Sequence, residues 1–594
     1  ARRPALQLLP MASAPSWLPS CFSGASMWVV KVSDFVNMNL DKILCHEELL
    51  EKGILVRRQA GFFCIFVSHQ WLGFNHPDPN SEQLPVLQQA LLHLLAGGDI
   101  GVDITTEFFG WRSRFSEKHR ASIKDGYIWM DWFSIPQHSL EAQHGQQRDL
   151  DGTPKWDAMP SLATQDDYIR LIPEYVEASD LFVVLAPRCR HSNGLRCSFG
   201  SWTERGWCRL ELWCKMMSVN VKMPVVLISG SDQINFAMPM HWIDHPPHEG
   251  QFTIEADRHS VINVTREALS QKMSSSKASK KWDVYRYFVA RYETLSGHGF
   301  RQRTKDEFLK DFNFSSLHSA TNRCMSPMAC AVLSADAEMI RVLCSEGLDV
   351  NRFDGAIPEV NIFQAMSPLM LATMLGWRNE TVLLALLDHK ANVDATTEFG
   401  SPLLGWCKSE RTVDLLIHHR ADVNQQKESV FLPPISSACE NAAPTSVIRS
   451  LLEHKACVNP RKNGLGSAHP LAFLAMRPEN SKSLEVAKLL LDARADVDMQ
   501  YRAAGVWRTR ELMCRAGVRV LGPRTPKIAQ FIAEWSTTPL GVACFFGCDE
   551  LVEFLLDANA DPEKPNARGH TPFQLAQSES VMKVIHLHRT TFSI

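Results

Sequence analysis

A short motif recurs seven times in the C-terminal part of the chain and constrains its fold more than any other feature. Each copy places a proline at its second position and continues with an apolar segment, as in SPMACAVLS, which starts at Ser326. The second-position prolines are Pro327, Pro368, Pro402, Pro434, Pro470, Pro539 and Pro572. Most of their spacings lie near ~33 residues, a period typical of stacked helical units. Such a chain stacks each unit on the next and forms an elongated solenoid.

Later in most units a second motif recurs, seen as LLDHKANVD at 386–394 and LLDANADPE at 555–563. The Ser or Thr before the proline predicts a helix N-cap, because its side chain can accept a hydrogen bond from a free backbone N–H. Proline suits the next position, since its missing N–H would have no helical partner there. The Leu-rich segment predicts a second helix that packs on its neighbours, and the end of the motif predicts the turn into the next unit.

These motifs resemble those of ankyrin repeats, and the resemblance covers residues 324–590 in about seven repeats. It implies an all-α ankyrin solenoid that binds a protein partner. The His of the family's TPLH start is absent from every copy, and an insertion at 501–535 separates two copies. The insertion is expected to be a long hairpin loop, with one extra degenerate repeat as the alternative. Its arginines, which form either a basic contact patch or a solvated loop, are Arg502, Arg508, Arg510, Arg515, Arg519 and Arg524.

The N-terminal part alternates apolar runs with amphipathic segments instead. The apolar runs, which predict buried strands, lie at 61–71, 127–137, 181–187 and 223–229. The amphipathic segments, which predict helices, lie at 81–98, 166–180 and 201–213. This alternation with continuously apolar strands is typical of a parallel sheet covered by helices on both faces. The fold class expected for residues 56–250 is therefore an α/β domain with a parallel sheet.

The flanking regions carry weaker signals. Residues 1–55 are interpreted as an N-terminal tail and lead-in. The start of this segment weakly resembles a targeting leader, but its composition is more typical of a disordered tail. Residues 251–323 are interpreted as a helical linker between the α/β domain and the repeats. Within the linker, MSSSKASKK at 273–281 predicts a mobile connection, and KKWDVYRYFVARYETL at 280–295 predicts a helix.

Several segments of the α/β domain resemble the Toll/interleukin receptor (TIR) family. The segment ending in FVSHQW resembles its first strand, and WCRLEL, Trp207 to Leu212, matches its WCxxEL helix start. YIWMDWFSIPQ is similar to a strand of fungal heterokaryon-incompatibility (HET) domains, which are distant relatives. The resemblance covers roughly residues 60–230 and implies a TIR/flavodoxin-like fold. The loop from His138 to about Gln165 is longer than the usual TIR loop.

In enzymatic TIR domains the Glu of this helix supports cleavage of NAD+ at the nicotinamide–ribose bond, which by resemblance makes Glu211 the candidate catalytic residue. Nicotinamide leaves as a neutral molecule, so one fixed anion that stabilises positive charge on the ribose can suffice. Four residues stand near predicted strand ends, where ligands of parallel sheets bind. These candidate NAD+ contacts are Ser68, Trp71, Asp131 and Trp132. No cofactor is expected, and NAD+ enters as a candidate substrate.

Each of these residues also has a structural interpretation. Glu211 lies one turn before Lys215, with which it can form a helix ion pair. Tryptophans such as Trp71 and Trp132 more often lie in the core than stack on a ligand, and His69 is consistent with fixing a loop. No metal is expected, because neither the His-rich segment at 240–250 nor the segment with Cys and His at 188–197 has a standard zinc spacing. These segments contain His241, His245 and His248, and Cys189, His191 and Cys197.

Composition narrows the choice of partners. With a net charge of -3, the chain has no overall positive potential that would attract nucleic acid. The longest apolar run, GFFCIFV, is far too short to span a bilayer. The 16 cysteines show no disulfide framework and are expected to be free thiols in the cytoplasm.

Two functions are consistent with the sequence. In the first, the ankyrin array binds a protein partner while the TIR-like domain self-associates and cleaves NAD+. In the second, the protein is a non-enzymatic ankyrin-repeat adaptor with a degenerate TIR-like assembly domain, and Glu211 is structural.

Overall fold

A computed structural model describes most of the chain. The described residues are 26–98, 100–102, 117–137, 164–218, 225–231, 233–237, 245–318, 325–360, 362, 365–375, 380–397, 400–425, 432–460, 469–476, 482–500, 503, 505–522, 525 and 527–591. The sequence features that lie outside the described residues are the start of the N-terminal tail, the loop 138–163, His241, Arg502 and Arg524.

Eight strands of the N-terminal domain form one mixed sheet. They are β1 (Trp28–Lys31), β2 (Leu55–Arg57), β3 (Cys64–His69), β4 (Gly101–Val102), β5 (Tyr127–Trp129), β6 (Leu181–Leu185), β9 (Val225–Ile228) and β10 (Ile234–Ala237). Their order is β2-β1-β5-β3-β6-β9-β10-β4, and the four central strands β5, β3, β6 and β9 are parallel. The remaining two strands, β7 (Cys189–Arg190) and β8 (Arg196–Cys197), form a separate hairpin.

Helices cover both faces of this sheet, as its continuously apolar strands predict. In β3, Ile65 and Val67 face one apolar core, whereas Cys64 and Phe66 face another. The helices are α1 (Val32–Val36), α2 (His46–Glu51), α3 (Leu84–Leu95), α4 (Glu117–Lys124), α5 (Asp131–Ser134), α6 (Gln165–Arg170), α7 (Ile172–Glu177), α8 (Phe199–Glu204) and α9 (Gly206–Met217). The mixed α/β architecture with a parallel centre is therefore confirmed.

The structure changes three predicted boundaries in this domain. β1 and β2 belong to the sheet, so the domain starts at Trp28 and includes residues 28–55, which the sequence places in the lead-in. The run at 127–137 is a strand only as far as Trp129 and then becomes α5, which puts Asp131 at the start of a helix. The segment at 166–180 forms two helices, and Pro173 lies in the first turn of the second.

Three helices join the sheet domain to the repeats: α10 (Asp257–Ala278), α11 (Trp282–Leu295) and α12 (Lys305–Asp311). The mobile connection predicted at 273–281 is wrong, because α10 continues to Ala278. Tyr287 and Phe288 of α11 belong to an apolar core that extends from Trp213 of α9 into the repeats. This joint is therefore a packed hydrophobic one. None of the helices that the structure describes is both long and apolar enough to cross a membrane.

Residues 325–591, called the repeat array below, consist mainly of helix pairs, and in the unit that starts at Ser401 a 3-10 turn, Leu403–Trp406, takes the place of the first helix. The helices are α13 (Pro327–Leu333), α14 (Ala337–Ser345), α15 (Pro368–Leu375), α16 (Glu380–Asp388), α17 (Glu410–His418), α18 (Pro434–Glu440), α19 (Thr445–Glu453), α20 (Pro470–Ala475), α21 (Ser483–Asp492), α22 (Gly505–Leu521), α23 (Lys527–Ala533), α24 (Pro539–Phe546), α25 (Asp549–Asp557), α26 (Pro572–Leu575) and α27 (Glu579–Thr591). The predicted N-caps are confirmed at Ser326 and Thr538, whose hydroxyls each accept a backbone N–H over 3.1 Å.

A ladder of hydrogen bonds links the turns of successive repeats. The side chain of the last Asn or Asp in each LLDHKANVD-type motif accepts a backbone N–H from the equivalent turn of the next repeat. The donor–acceptor pairs are Asn392–Asn351, Asp422–Asp394, Cys457–Asn424, Asp496–Asn459 and Asp561–Asp498, at 2.7 to 3.2 Å. The end of the motif therefore joins neighbouring repeats in addition to forming a turn.

The insertion at 501–535 contains two packed helices, α22 and α23, so the prediction of a long loop is wrong. The repeats on either side still contact each other directly, through α20 with α24 and α21 with α25. Asp498 also bonds to the turn of the next repeat across the insertion. The two helices therefore project from the array without interrupting its stacking, and they do not act as an intervening repeat.

The far end of the repeat array returns to the sheet domain. Arg188 forms an ion pair with Asp549, and Arg196 forms one with Glu550, both at the start of α25. Exposed ion pairs of this kind each contribute roughly 0.2–1 kcal/mol and are weakened by salt. The array is thus held to the sheet domain by a hydrophobic joint at one end and a polar contact at the other.

Candidate functional site

The candidate site lies where the parallel strands end. Ser68 and His69 are the last residues of β3, and Asp131 follows the end of β5. Glu211 projects from the first half of α9 and bonds to Ser68. Because parallel neighbours end at the same edge of a sheet, the strands themselves bring these groups together.

Glu211 points towards the end of β3. The Ser68 hydroxyl donates a short hydrogen bond to Glu211 Oε2, and Trp202 Nε1 donates to Ser68 Oγ over 3.1 Å. Glu211 is only 8% exposed. The ion pair with Lys215 that the helix spacing allows is not formed between these two described residues, so that interpretation is wrong.

The environment of Glu211 favours its neutral form. Burial raises the pKa of Glu211 to about 8, and the negative charge of Asp131 acts in the same direction. The hydrogen bond from Ser68 opposes this shift without cancelling it. At pH 7 the carboxyl group is therefore mostly protonated.

Asp131 is the charged partner in the same site. His69 Nε2 and Trp71 Nε1 each lie 2.8 Å from one of its carboxylate oxygens, and the backbone N–H of Trp132 donates to it over 2.6 Å. Burial alone would raise the pKa of Asp131, but the interactions with His69, Trp71 and Trp132 together hold it below its ordinary value. Asp131 therefore remains ionised at neutral pH.

The two candidate stacking tryptophans contact each other. Their rings meet edge to face, with centroids 5.7 Å apart. Trp132 is buried in a core of the sheet domain, whereas Trp71 is partly exposed and held by its bond to Asp131. Trp71 is thus the better placed of the two to meet a planar ligand.

Three residues of the site escape prediction from sequence. His69 belongs to β3 and bonds to Asp131, so it does not serve only to fix a loop. Trp202 supports Ser68, and the Gln70 side chain accepts a hydrogen bond from Ser201 over 2.7 Å. The signal that could have indicated His69 and Gln70 is the segment SHQW, residues 68–71, in which a strand end is followed at once by polar and aromatic side chains.

The pKa of Glu211 is raised and that of Asp131 is lowered, so one site contains both a neutral carboxylic acid and a carboxylate anion. His69 Nδ1 and Trp132 Nε1 are buried without a hydrogen-bond partner among the described residues. A cationic ligand next to Glu211 would lower its pKa and favour the ionised form. Within the described ranges, no three His, Cys, Asp or Glu side chains are grouped to hold a metal ion.

Comparisons with known proteins bear on the repeat array. Residues 536–567 match the family model of the ankyrin repeat. This part of the array is therefore similar to an ankyrin repeat. The match covers the unit that contains Thr538 and the LLDANADPE motif. Ser326 and Ser367 cap their helices as Thr538 does, and the turn ladder links this unit to the preceding ones.

Two solved structures are similar to the chain. One is the human ASB11 ankyrin repeat domain, at 20% identity over 44% of this chain and 97% of that chain, with a TM-score of 0.31. The other is the ankyrin repeat domain of Bcl-3, at 17% identity over 44% of this chain and 98% of that chain, with a TM-score of 0.30. No curated protein matches the chain.

The repeat array presents an exposed apolar surface on the inserted helix α22. Four of its large apolar side chains are half or more exposed, and they are Leu512, Met513, Val520 and Leu521. The spacing of Leu512, Met513 and Val520 puts them on one side of the helix. We call these four residues the α22 patch.

The arginines of the insertion have divided roles. Arg508 and Arg515 bond to Glu511, a completely buried carboxylate, and so belong to the insertion's own structure. Arg510 lies over the Trp507 ring at 4.9 Å, and Arg519 is exposed beside the α22 patch. The basic contact patch considered from sequence therefore reduces to Arg510 and Arg519 among the described residues.

Proposed function

We propose that this protein is an interaction protein that captures a protein partner on its ankyrin array, with the α22 patch as the main contact. Ankyrin repeats are protein-binding units, and large exposed apolar patches mark interaction sites. The observation that carries the proposal is the helix pair α22–α23, which projects from an otherwise regular stack and leaves its apolar side uncovered. The free thiols in the structure support our placement of the protein in the cytoplasm.

The surroundings of the patch define the partner. Arg510 and Arg519 border apolar side chains on the same helix. An apolar groove with an acidic rim is complementary to such a helix, because it buries the apolar side chains and faces the arginines with opposite charge. The partner is therefore expected to be a protein that offers such a groove.

The first prediction concerns this surface. Replacing Leu512 and Val520 by Asp should remove partner capture from native extract, because two carboxylates cannot be buried in an apolar contact without a large cost. Affinity capture with quantitative mass spectrometry measures the effect. The matched control is Leu587→Asp, which changes an equally exposed leucine on α27. An unchanged set of captured proteins for the double variant would exclude the α22 patch as the contact.

A second function, cleavage of NAD+ at the nicotinamide–ribose bond, is favoured by the position of Glu211. The central strands run in the order second, first, third, fourth, which is the flavodoxin-like order, and ligands of such sheets bind beyond the first and third strands. Here these are β3 and β6. Glu211 bonds to the end of β3 and has a strongly perturbed pKa, as groups in functional sites often do. Self-association of this TIR-like domain belongs to the same proposal.

The chemistry would proceed as follows. The positive nicotinamide ring of NAD+ lowers the pKa of Glu211, which releases its proton. The carboxylate then stabilises the positive charge that grows on the ribose as the glycosidic bond breaks. Nicotinamide leaves with the bonding electron pair as a neutral molecule. Water adds to the ribose and loses a proton, giving ADP-ribose.

The second prediction tests this reaction. The full chain is incubated with NAD+ in dilute and in crowded solution, and free nicotinamide is measured by chromatography. Glu211→Ala should lower the rate by about 10²–10³-fold, the usual effect of removing one electrostatic group from a site. Absence of release under both conditions would leave the protein as a non-enzymatic adaptor. Equal release by the variant would place the reaction at another site.

A further inference from the structure

The hairpin that follows β6 places two cysteines opposite each other. β7 and β8 pair in antiparallel fashion, with Cys189 as the register partner of Cys197. The loop between them is closed by a hydrogen bond from His191 N to Leu195 O at 2.8 Å. Directly opposed residues of an antiparallel pair have Cα atoms about 4.5–5.5 Å apart. That range falls within the ~4.4–6.8 Å that a disulfide requires.

Both side chains lie on the same side of this hairpin. Cys189 and Cys197 pack together against Leu72 in a small cluster of their own. In an antiparallel pair, opposed residues project from the same face, so the two sulfur atoms face a common space. Both cysteines are free thiols in the structure. The geometry needed for a bond between them therefore exists before any oxidation.

The surroundings hold the hairpin in place. Ser192 N donates to Leu72 O over 2.7 Å, and Arg190 N donates to Glu82 Oε2 over 3.0 Å. At its open end, Arg188 and Arg196 contact the start of α25. Because these contacts fix both strands from outside, the two cysteines are held close to each other at little further entropic cost.

We propose that Cys189 and Cys197 form a reversible disulfide by exchange with a low-molecular-weight disulfide such as oxidised glutathione. One thiol loses its proton and attacks the small disulfide, which gives a mixed disulfide and releases one reduced thiolate. The second cysteine then attacks the protein sulfur, forms the Cys189–Cys197 bond and releases the second thiolate. The two protein thiols lose two electrons and two protons, and one oxidised glutathione becomes two reduced molecules.

Burial sets the speed and the stability of this bond. It raises the pKa of Cys189 to about 12 and also raises the pKa of Cys197. Since the thiolate is the attacking species, exchange should be slow at pH 7 and faster at higher pH. Because burial raises both pKa values, the reduced form is not stabilised by an ionised thiolate. The equilibrium between the two thiols and the disulfide therefore favours the disulfide.

The bond would fasten the strands that carry Arg188 and Arg196. These two arginines stand next to the two cysteines in sequence and reach α25. The site therefore lies at the polar contact between the sheet domain and the last repeats.

The test uses the reduced full chain in buffers with graded ratios of reduced to oxidised glutathione. Free thiols are then alkylated, and the protein is digested with trypsin. Because Arg190 and Arg196 separate the two cysteines, the disulfide appears as two joined peptides in mass spectrometry. The effective concentration of one thiol at the other should be on the order of 100-fold higher in the native chain than in the chain unfolded in urea, because the fold holds the two cysteines together.

Matched variants decide the result. Cys189→Ala and Cys197→Ala should each abolish the joined peptides, whereas Cys214→Ala, a buried cysteine of α9, should leave them unchanged. The inference is overturned if the native chain lacks the joined peptides at ratios that oxidise the chain in urea. It is also overturned if the native chain pairs Cys189 with other cysteines as often as with Cys197.

Discussion

Replacing Glu211 by Gln is expected to stabilise the sheet domain at pH 8 while leaving its stability at pH 4 nearly unchanged. Gln keeps the shape of the protonated carboxyl group and can still accept the hydrogen bond from Ser68. It carries no ionisable proton, so the fold no longer has to accommodate a buried negative charge as the pH rises.

The sign of this effect follows from the pKa of Glu211. Burial raises it from 4.5 in the unfolded chain to about 8 in the folded protein. The folded state therefore holds a proton that the unfolded state has already lost, and stability falls as the pH rises from 4.5 towards 8. A shift of this size corresponds to roughly 3–5 kcal/mol across that window. The gain of the Gln variant should have the same magnitude at pH 8.

Urea unfolding at several pH values, resolved by hydrogen exchange of peptides from β3 and β6, measures this effect separately from the repeats. The contrasting variant is Asp131→Asn. The pKa of Asp131 is lowered in the fold, so its charge contributes stability above its unfolded pKa, and that stability is lost in acid. Asp131→Asn should therefore destabilise the domain at pH 7, opposite to Glu211→Gln. A Glu211→Gln variant less stable than the parent at pH 8 would show that the folded carboxyl group is ionised.

The sequence predicts that the site lies at one edge of the sheet, but it does not predict the hydrogen bonds between the residues of the site. Ser68 and Asp131 could be placed together, because the ends of apolar runs in an α/β pattern share one edge. The direction of the Glu211 side chain depends on how α9 is rotated against the sheet. Residues distant in sequence, such as Trp202, determine that rotation. Local spacing alone pointed instead to Lys215.

The repeats were easier to predict, because their caps depend on neighbouring residues. The hydroxyls of Ser326 and Thr538 each accept a hydrogen bond from the backbone N–H three residues later in the chain. The α22–α23 helices were missed, since their stability depends on partners that spacing does not reveal, including the buried Glu511. The ladder of turn residues was missed for the same reason, because each bond joins two repeats. Contacts within one turn of helix are local, whereas these contacts exist only after stacking.

Four turns of the repeat array contain an uncommon backbone conformation at the end of a helix. In these turns the second residue after the helix has a positive φ, and it is Lys390 (65°), Arg420 (71°), Lys455 (66°) or Arg494 (65°). Glycine or asparagine suits this conformation, and other residues adopt it at a cost. The carbonyl groups of Lys455 and Arg494 accept side-chain hydrogen bonds from the Asn of the preceding turn. Bonds within each repeat hold this conformation: at the first of these turns, Lys390 N donates to Leu387 O and Ala391 N donates to Leu386 O, the pattern of a Schellman motif.

Replacing Lys390, Arg420, Lys455 and Arg494 together by Gly should raise the stability of the repeat array by about 2–4 kcal/mol. Each change removes the left-handed strain of roughly 1–2 kcal/mol, partly offset by the greater freedom of Gly in the unfolded chain. The four positions lie in different repeats, so their effects should add. Thermal unfolding followed by far-ultraviolet circular dichroism measures the gain.

Two substitutions separate this cause from the loss of positive charge. Lys488→Gly removes a charge from the middle of the exposed side of α21, where the backbone is helical, and should cost about 1 kcal/mol. Asn559 occupies the equivalent turn at φ 64°, and because Asn already tolerates this conformation, Asn559→Gly should change little. If the quadruple variant has a melting temperature equal to or below that of the parent, the four turns are unstrained. In that case the Lys and Arg side chains stabilise the repeat array through contacts of their own.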